Sequence, residues 1–186
     1  MIGSKEIISA LFGYGSFDYI SVINSSKALY YFGFGLPAFA LIKVFSSFFF
    51  ANHDTKTPFY ISFISVLVNI FISLYYFRDF GFIIIPIATS ISSWFNAIVL
   101  FICLKNNDLF NFNELFFAKL IKILLASILM GIFFNYLILF FENKLIYEYN
   151  FKSFYLILSA FLSLIFYLSF SLFIKAFKYG DIKLKY

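Results

Sequence analysis

Four polar or charged side chains lie within or beside long apolar stretches, and their chemistry suits contact with a polar ligand: Lys43, Asn69, Asn96 and Lys122. A lysine ammonium pairs with phosphate groups, and an amide both donates and accepts hydrogen bonds. For Lys43 two roles stay open. At the centre of a bilayer its burial would cost about 2.5–3.5 kcal/mol, so it would face a cavity or a partner. Near a helix end, its long stem reaches the membrane surface instead.

The asparagines Asn69, Asn96 and Asn135 each lie in the middle of an apolar stretch. Hydrogen bonds between helices, worth about 0.6–2 kcal/mol each, are the default interpretation, and contact with a substrate is the alternative. Lys122, with Lys119, precedes an apolar stretch. It either anchors a helix at a membrane surface or contacts a phosphate.

Gly35 and Pro37 interrupt the first long apolar stretch. Proline lacks a backbone donor and frees a carbonyl one turn earlier, so we predict a kinked or locally unwound helix. Transporters use such broken helices at their working sites. A kink that only lets two helices pack closely is the alternative.

Two loops contain residues that cap helices. In the first, Asp54, Thr55 and Thr57 can accept hydrogen bonds from free amides, and Pro58 suits the first turn of the next helix. The second loop, residues 11–18, contains a Gly-Tyr-Gly sequence, but it lacks the Thr-Val pair of a potassium filter. We interpret it as a glycine-containing turn whose Asp18 caps the following helix.

Catalytic machinery is not visible in the sequence. The single Cys103 and the single His53 permit no disulfide and no His/Cys metal cluster within the chain. We find no Ser/His/Asp set or paired intramembrane carboxylates. We therefore predict that the protein is not an enzyme and uses no metal or cofactor.

The composition explains why so few polar residues stand out. Of 186 residues, 63% are hydrophobic and 12% are charged, whereas soluble domains average about 45–50% and about 25%. We therefore predict an all-α integral membrane protein. The net charge of +5 is scattered between apolar runs, which favours membrane loops over a nucleic-acid surface.

Four charge-free runs and one apolar run that contains Lys43 predict about five transmembrane helices, because a span needs roughly 17–25 mostly apolar residues. The predicted spans are residues 28–51, 59–77, 80–104, 123–141 and 154–174. Residues 1–27 form an extracytoplasmic loop and lead-in, and residues 28–186 form a helical membrane lobe. Lysine is more frequent in the loop 52–58, the loop 105–122 and the C-terminal tail than on the other side. The positive-inside rule therefore predicts that the tail is cytoplasmic.

Residues 35–58 resemble a signature of the MurJ (MviN) lipid II flippases, members of the multidrug/oligosaccharidyl-lipid/polysaccharide exporter superfamily. The similar residues are Gly35-Leu36-Pro37-Ala38-Phe39, Leu41, Lys43-Val44, Phe49, Ala51, Asp54-Thr55 and Thr57-Pro58. Residues 11–17 are similar to the Leu-Phe-x-x-Gly-x-Phe loop of that family. Ala88-Thr89-Ser90, Ser93-Trp94 and Asn96-Ala97 are similar to one of its later helices.

The resemblance implies that this chain is the C-terminal lobe portion of a fourteen-helix flippase of the bacterial inner membrane, as part of a longer protein or half of a split one. Its implied partners are an undecaprenyl-type lipid-linked sugar pyrophosphate, membrane lipids and an N-terminal lobe in cis or in trans, with no nucleic acid. The implied function is translocation of lipid II by alternating access. A polysaccharide or drug exporter lobe and a non-transporting membrane subunit or remnant are the alternatives.

Overall fold

The computed structural model describes residues 2–107 and 114–175, with the side chains of residues 114–117 left aside. Every regular element in these ranges is helical, which confirms the predicted all-α class. The long elements are α1 (Ser4–Phe12), α2 (Tyr19–Ala51), α3 (Lys56–Phe80), α4 (Ile84–Asn106), α5 (Glu114–Phe140) and α6 (Lys152–Phe173). Short 3₁₀ segments occupy Gly81–Ile83 and Glu142–Lys144. The C-terminal tail, residues 176–186, whose cytoplasmic position we predict, lies outside the described residues.

Four helical stretches in the described part of the chain are long and apolar enough to cross a membrane, where the sequence predicted about five. They are Tyr19–Ala51, Lys56–Asn106, Ala118–Phe140 and Lys152–Phe173. The difference arises because the predicted spans 59–77 and 80–104 join into one stretch of 51 residues. The charged pair Arg78-Asp79 does not end the helix, since both residues are helical and exposed.

Two antiparallel helices make up that long stretch. Hydrogen bonds join Ser65 to Ser92 and Asn69 to Thr89. As the residue number increases along α3, the number of the partner residue on α4 decreases, so the two helices are antiparallel. The reversal occurs at Gly81, whose φ of +58° favours a residue without a Cβ. The two halves are therefore separate helices, α3 with 25 residues and α4 with 23 residues.

Helix α2 runs without interruption from Tyr19 to Ala51 with Pro37 inside it, so the locally unwound form that we predicted is wrong. Small residues instead allow close packing on α4. A Cβ placed on Gly35 would lie 3.0 Å from Ser90 Oγ. The Ser90 hydroxyl donates to Tyr31 O at 2.7 Å, and Trp94 Nε1 donates to Phe34 O at 2.9 Å. These contacts favour the packing interpretation of the Gly35–Pro37 segment.

The chain divides into two compact units. In the described residues, the first unit holds 24–107 and has a core cluster of Phe49, Ile61, Leu100 and Leu104. The second unit holds 2–23 and 114–175 and has a core cluster of Ala10, Ile138, Leu145 and Leu156. The units are therefore composed of α2–α4 and of α1, α5 and α6, with the start of α2 in the second unit.

Helices extend beyond the predicted span limits. Residues 4–12, within the predicted lead-in 1–27, form α1, and α2 already begins at Tyr19. Helix α5 begins at Glu114, so Lys119 and Lys122 lie on its early turns and do not precede it. Charge-free runs mark only the part of a helix that can lie in hydrocarbon, whereas the backbone hydrogen bonds continue into the polar flanks.

Candidate functional site

The loop between α2 and α3 forms the predicted helix cap. One Asp54 carboxylate oxygen accepts hydrogen bonds from the amides of Lys56 and Thr57, each at 3.0 Å. The pKa of Asp54 is lowered chiefly by a hydrogen bond with the Thr57 side chain, and further by the bonds with the amides of Thr57 and Lys56. Pro58 lies in the first turn of α3, where its missing amide hydrogen is not needed. The capping oxygen therefore comes from Asp54, because Thr55 makes no side-chain cap bond.

A cavity of about 340 Å³ lies in the first unit and is lined by residues of α2, α3 and α4. Phe39 and Ile42 of α2 supply part of its apolar wall. Its polar wall consists of hydroxyl and amide side chains, namely Ser62, Ser65, Asn69, Thr89, Ser92, Ser93 and Asn96. Because these residues are all uncharged, the cavity suits neutral hydrogen-bonding groups such as hydroxyls and amides.

Hydrogen bonds between α3 and α4 fix this polar wall. Asn69 Nδ2 donates to Thr89 Oγ1 at 3.1 Å and to Ser92 Oγ at 3.3 Å. Asn96 Nδ2 donates to Ser62 Oγ at 3.3 Å. The predicted interhelical hydrogen bonds are thus confirmed for both asparagines. Asn135 differs, because it is exposed and forms no such bond among the described residues.

Asn96 also has an unused acceptor. The residue is 7% exposed, and its Oδ1 has no hydrogen-bond partner in the described part of the chain. An unpaired buried acceptor costs about 1–3 kcal/mol. A donor that entered the cavity would remove this cost, so Asn96 has the chemistry to bind a hydroxyl or an amide.

The other two predicted ligand residues lie elsewhere. Lys43 is exposed on α2 and does not line the cavity, although its neighbour Ile42 does. Lys122 is half-buried on α5 and belongs to the second unit. The structure therefore brings together Asn69 and Asn96, and neither lysine joins them at the cavity.

Sequence reasoning missed the hydroxyl groups of this site. On α3, Ser62, Ser65 and Asn69 recur at helical spacing and so share one face. On α4, Thr89, Ser92 and Asn96 recur in the same way. Two matching stripes of small polar residues were the available signal, and it indicates a polar seam between two apolar helices.

A second polar cluster, also missed, surrounds Lys152 in the second unit. This lysine is only 1% exposed, and its Nζ donates to Gly13 O and to Tyr147 O, each at 2.6 Å. The ammonium also lies 4.3 Å from the ring centroid of Tyr14 and 4.5 Å from that of Tyr147. Cation–π contact and two carbonyl acceptors thus replace the water that burial removes.

The same cluster holds the glycine-containing loop. Tyr14 and Ser153 share a hydrogen bond of 2.6 Å, and the Tyr147 hydroxyl donates to Phe17 O at 2.6 Å. Asp18 accepts from the Ser21 amide at 2.8 Å, which confirms the predicted cap of α2. The loop is therefore a fixed turn at the start of α2.

Comparison with known proteins identifies the family. The family model described as "Lipid II flippase MurJ" matches residues 1–160. A probable lipid II flippase MurJ of Buchnera aphidicola subsp. Schizaphis graminum is 31% identical over 141 residues, which cover 74% of this chain and 27% of that protein. A protein of the same description from Rhizobium meliloti is 39% identical over 101 residues, covering 54% of this chain and 19% of its own length.

The MurJ of Thermotoga maritima, also described as a probable lipid II flippase, is 34% identical over 128 residues, covering 69% of this chain and 25% of that protein. The chain thus spans about a quarter of the length of the Buchnera and Thermotoga relatives. The match of the family model over most of the sequence agrees with the motifs of residues 11–17, 35–58 and 88–97. The chain therefore belongs to the lipid II flippase MurJ family.

Proposed function

We propose that this chain serves as part of a lipid II flippase of the bacterial inner membrane, the C-terminal portion of its membrane lobes. The observation that carries the proposal is the family match over residues 1–160, made by a chain with four helical stretches apolar enough to cross a membrane. Relatives described as probable lipid II flippases from three different bacteria support the same cargo.

The proposed transport mechanism is alternating access, in which the sugar-pyrophosphate headgroup crosses along polar surfaces. The uncharged cavity lined by Asn69 and Asn96 offers hydrogen bonds to sugar hydroxyls and amides, and its unpaired Asn96 Oδ1 accepts from such donors. Lys43 and Lys122 are proposed phosphate contacts because each presents an ammonium group on a long, flexible stem. Binding of the headgroup then exchanges hydrogen bonds with water for hydrogen bonds with protein, which lowers the barrier to crossing.

The apolar pair α5 and α6 is proposed to accompany the undecaprenyl tail. The rings of Phe133 and Phe166 stack between these helices at 4.6 Å and 20°. Large apolar side chains are exposed along both helices, among them Leu125, Ile128 and Ile132 on α5 and Ile157, Phe161 and Leu164 on α6. An apolar surface of this kind suits contact with an isoprenoid chain, and equally with the acyl chains of membrane lipids.

Depletion of this chain in its own cells tests the proposal. We expect lipid II to accumulate with its headgroup on the cytoplasmic side, so that a hydrolase added from outside cleaves less of it. Unchanged cleavage after depletion would show that the chain is not required for lipid II translocation. Cleavage restored by the unaltered chain, and not by an empty vector, is the necessary control.

Replacement of Lys43 by Ala tests its phosphate role in the same assay. We expect at least a severalfold slower appearance of cleavable lipid II, since a charge-assisted hydrogen bond to phosphate is worth about 1.5–3 kcal/mol. Lys105→Ala removes an exposed lysine from the end of α4 and is expected to leave the rate unchanged. Equal rates for the Lys43 variant and the wild type would remove Lys43 from the proposed site.

A further inference from the structure

A second and larger cavity, of about 580 Å³, lies in the second unit. Its charged lining residues are Lys5, Glu6, Glu142 and Glu148. Apolar side chains from the end of α5 and the following loop complete it, among them Leu139 and Ile146. The volume lies within the range of about 300–1,000 Å³ that is usual for small-molecule sites.

The position of this cavity relates it to a membrane surface. Helix α5 is one of the apolar stretches long enough to span a membrane, and it ends at Phe140, just before Glu142. Leu139 and Ile146 are 60% and 50% exposed, so apolar surface continues directly into the charged cavity. Tyr19 and Tyr147 pack edge to face beside it at 5.8 Å. Aromatic rings with polar tips are typical of the level at which lipid headgroups lie.

Charges of both signs line the cavity. The Lys5 ammonium lies 5.2 Å from the ring centroid of Tyr19. A hydrogen bond with the Tyr19 hydroxyl raises the pKa of Lys5, with a smaller contribution from Glu6, although partial burial opposes them. Glu142 and Glu148 are exposed, and their side chains have no hydrogen bond or ion pair among the described residues. The site thus has one cationic side chain and three carboxylates.

Ser9 provides an independent indication that a ligand belongs here. It lines the cavity, it is 4% exposed, and its hydroxyl has no hydrogen-bond partner in the described ranges. Serine on a helix commonly satisfies its hydroxyl through a carbonyl one turn earlier, as Ser159 and Ser163 do on α6. A ligand bound in the cavity would supply the hydrogen bond that the Ser9 hydroxyl lacks.

We propose that this cavity binds the headgroup of a zwitterionic phospholipid with a primary amine, of the phosphatidylethanolamine class. Lys5 pairs with the phosphate, and Glu142 and Glu148 accept hydrogen bonds from the ammonium. The acyl chains leave across Leu139 and Ile146. A quaternary ammonium carries the same charge but has no N–H to donate, so the site prefers ethanolamine over choline.

The full 186-residue chain in nanodiscs tests the preference. The discs contain equal amounts of phosphatidylethanolamine and phosphatidylcholine with identical acyl chains, and native mass spectrometry measures which lipid stays bound. We expect phosphatidylethanolamine to be enriched about fivefold, because a hydrogen bond that only the primary ammonium can donate is worth about 1 kcal/mol. Equal retention of the two lipids by the wild type would overturn the proposal.

Variants of the carboxylates separate the site from general lipid association. The double variant Glu142→Gln/Glu148→Gln keeps the side-chain shape and is expected to abolish the enrichment. Asp79→Asn removes an exposed carboxylate from the first unit and is expected to keep it. Enrichment that survives in the double variant, or that is lost in Asp79→Asn, would contradict the proposed site.

Two further measurements test the parts of the ligand. Lys5→Met is expected to lower the retention of both lipids while their ratio changes little, because the phosphate is common to both. A change in the ratio of the two bound lipids, without lower retention of both, would show that Lys5 does not bind the phosphate.

Excess water-soluble phosphoethanolamine is expected to displace little lipid, since the apolar contacts add affinity. Efficient displacement would overturn the lipid assignment in favour of a free phosphate ester.

Discussion

Lys152 illustrates how a charged residue becomes a structural element at the end of a membrane helix. Its ammonium is almost fully buried and is bonded to the carbonyls of Gly13 and Tyr147. The two tyrosine rings that cover it add cation–π contact. The residue joins the first turn of α6 to a loop that lies 139 positions earlier in the chain.

Replacement of Lys152 by Met should destabilise the second unit by about 1–3 kcal/mol, because it leaves two buried carbonyls without donors. The midpoint of thermal unfolding in detergent measures the loss, and faster hydrogen exchange in residues 13–17 locates it. Lys144→Met is the matched control, since Lys144 is exposed and should change stability by no more than about 0.5 kcal/mol. Equal effects of the two variants would contradict the structural role of Lys152.

Gly13 allows the close approach on which this cluster depends. A Cβ at this position would lie 2.6 Å from Ser9 O and 3.2 Å from Lys152 Nζ. Gly13→Ala should therefore lower the unfolding midpoint and weaken the protection of the loop. Gly131→Ala is the contrasting control, because its Cβ would meet Ile2 at an ordinary 3.5 Å. Within a helix that change should stabilise by about 0.5–1 kcal/mol.

At the scale of elements, the connection between α2 and α3 is built almost entirely from local interactions. The Asp54 amide donates to Phe49 O at 3.0 Å and closes the end of α2, with His53 in the left-handed region at φ 60°. The Asp54 carboxylate then caps α3 through Lys56 and Thr57. One residue thus ends one helix and begins the next.

The cap predicts a pH dependence. The pKa of Asp54 is lowered in the folded protein, chiefly by its hydrogen bond with Thr57. Its stabilising contribution is therefore complete above the unfolded pKa of about 3.9 and is lost as the pH falls through the lower folded value. We expect Asp54→Ala to lower the unfolding midpoint at pH 6. The difference from wild type should shrink below about pH 4.

Asp54→Asn serves as the control for charge, because it keeps an acceptor oxygen and cannot titrate. Its unfolding midpoint should lie between those of the wild type and the alanine variant at pH 6. A wild-type advantage over Asp54→Ala that stays constant down to pH 2.5, well below the unfolded pKa of about 3.9, would contradict the role of the ionised carboxylate.

At the scale of the whole molecule, the long stretch Lys56–Asn106 decides the topology. If the antiparallel helices α3 and α4 each cross the membrane, the loop after α2 and the loop after α5 lie on opposite sides. If the stretch counts as a single crossing, the two loops lie on the same side. The interhelical bonds of Ser65 and Asn69 favour the first arrangement.

Cysteine labelling in a Cys103→Ser background tests this topology. We expect Asn143→Cys to react with an impermeant maleimide from outside intact cells, and Asn52→Cys to react only after permeabilisation. Both positions are exposed in the structure. Reaction of both positions, or of neither, from outside would indicate a single crossing by Lys56–Asn106. The reverse pattern of reaction would instead place the C-terminal tail outside.

Membrane class, helical fold and both helix caps followed from the sequence, because these depend on composition or on neighbours within a few positions. Asp18 and Ser21 are three positions apart, as are Asp54 and Thr57. The family motif could likewise be found in the sequence because its residues are nearly contiguous. Tertiary structure alone decided that α2 continues through Pro37, in a segment whose Tyr31 and Phe34 carbonyls accept hydrogen bonds from side chains of α4.

Tertiary structure also decided which polar groups become hydrogen-bond partners. Asn96 and Ser62 are 34 positions apart, and only the turn at Gly81 brings them together. Lys152 looked like one more charged flank of an apolar run, yet folding buries it against the loop at Gly13. A sequence states which groups avoid water, whereas the crossing of helices determines which polar groups find partners and which, like Asn96 Oδ1, remain unpaired.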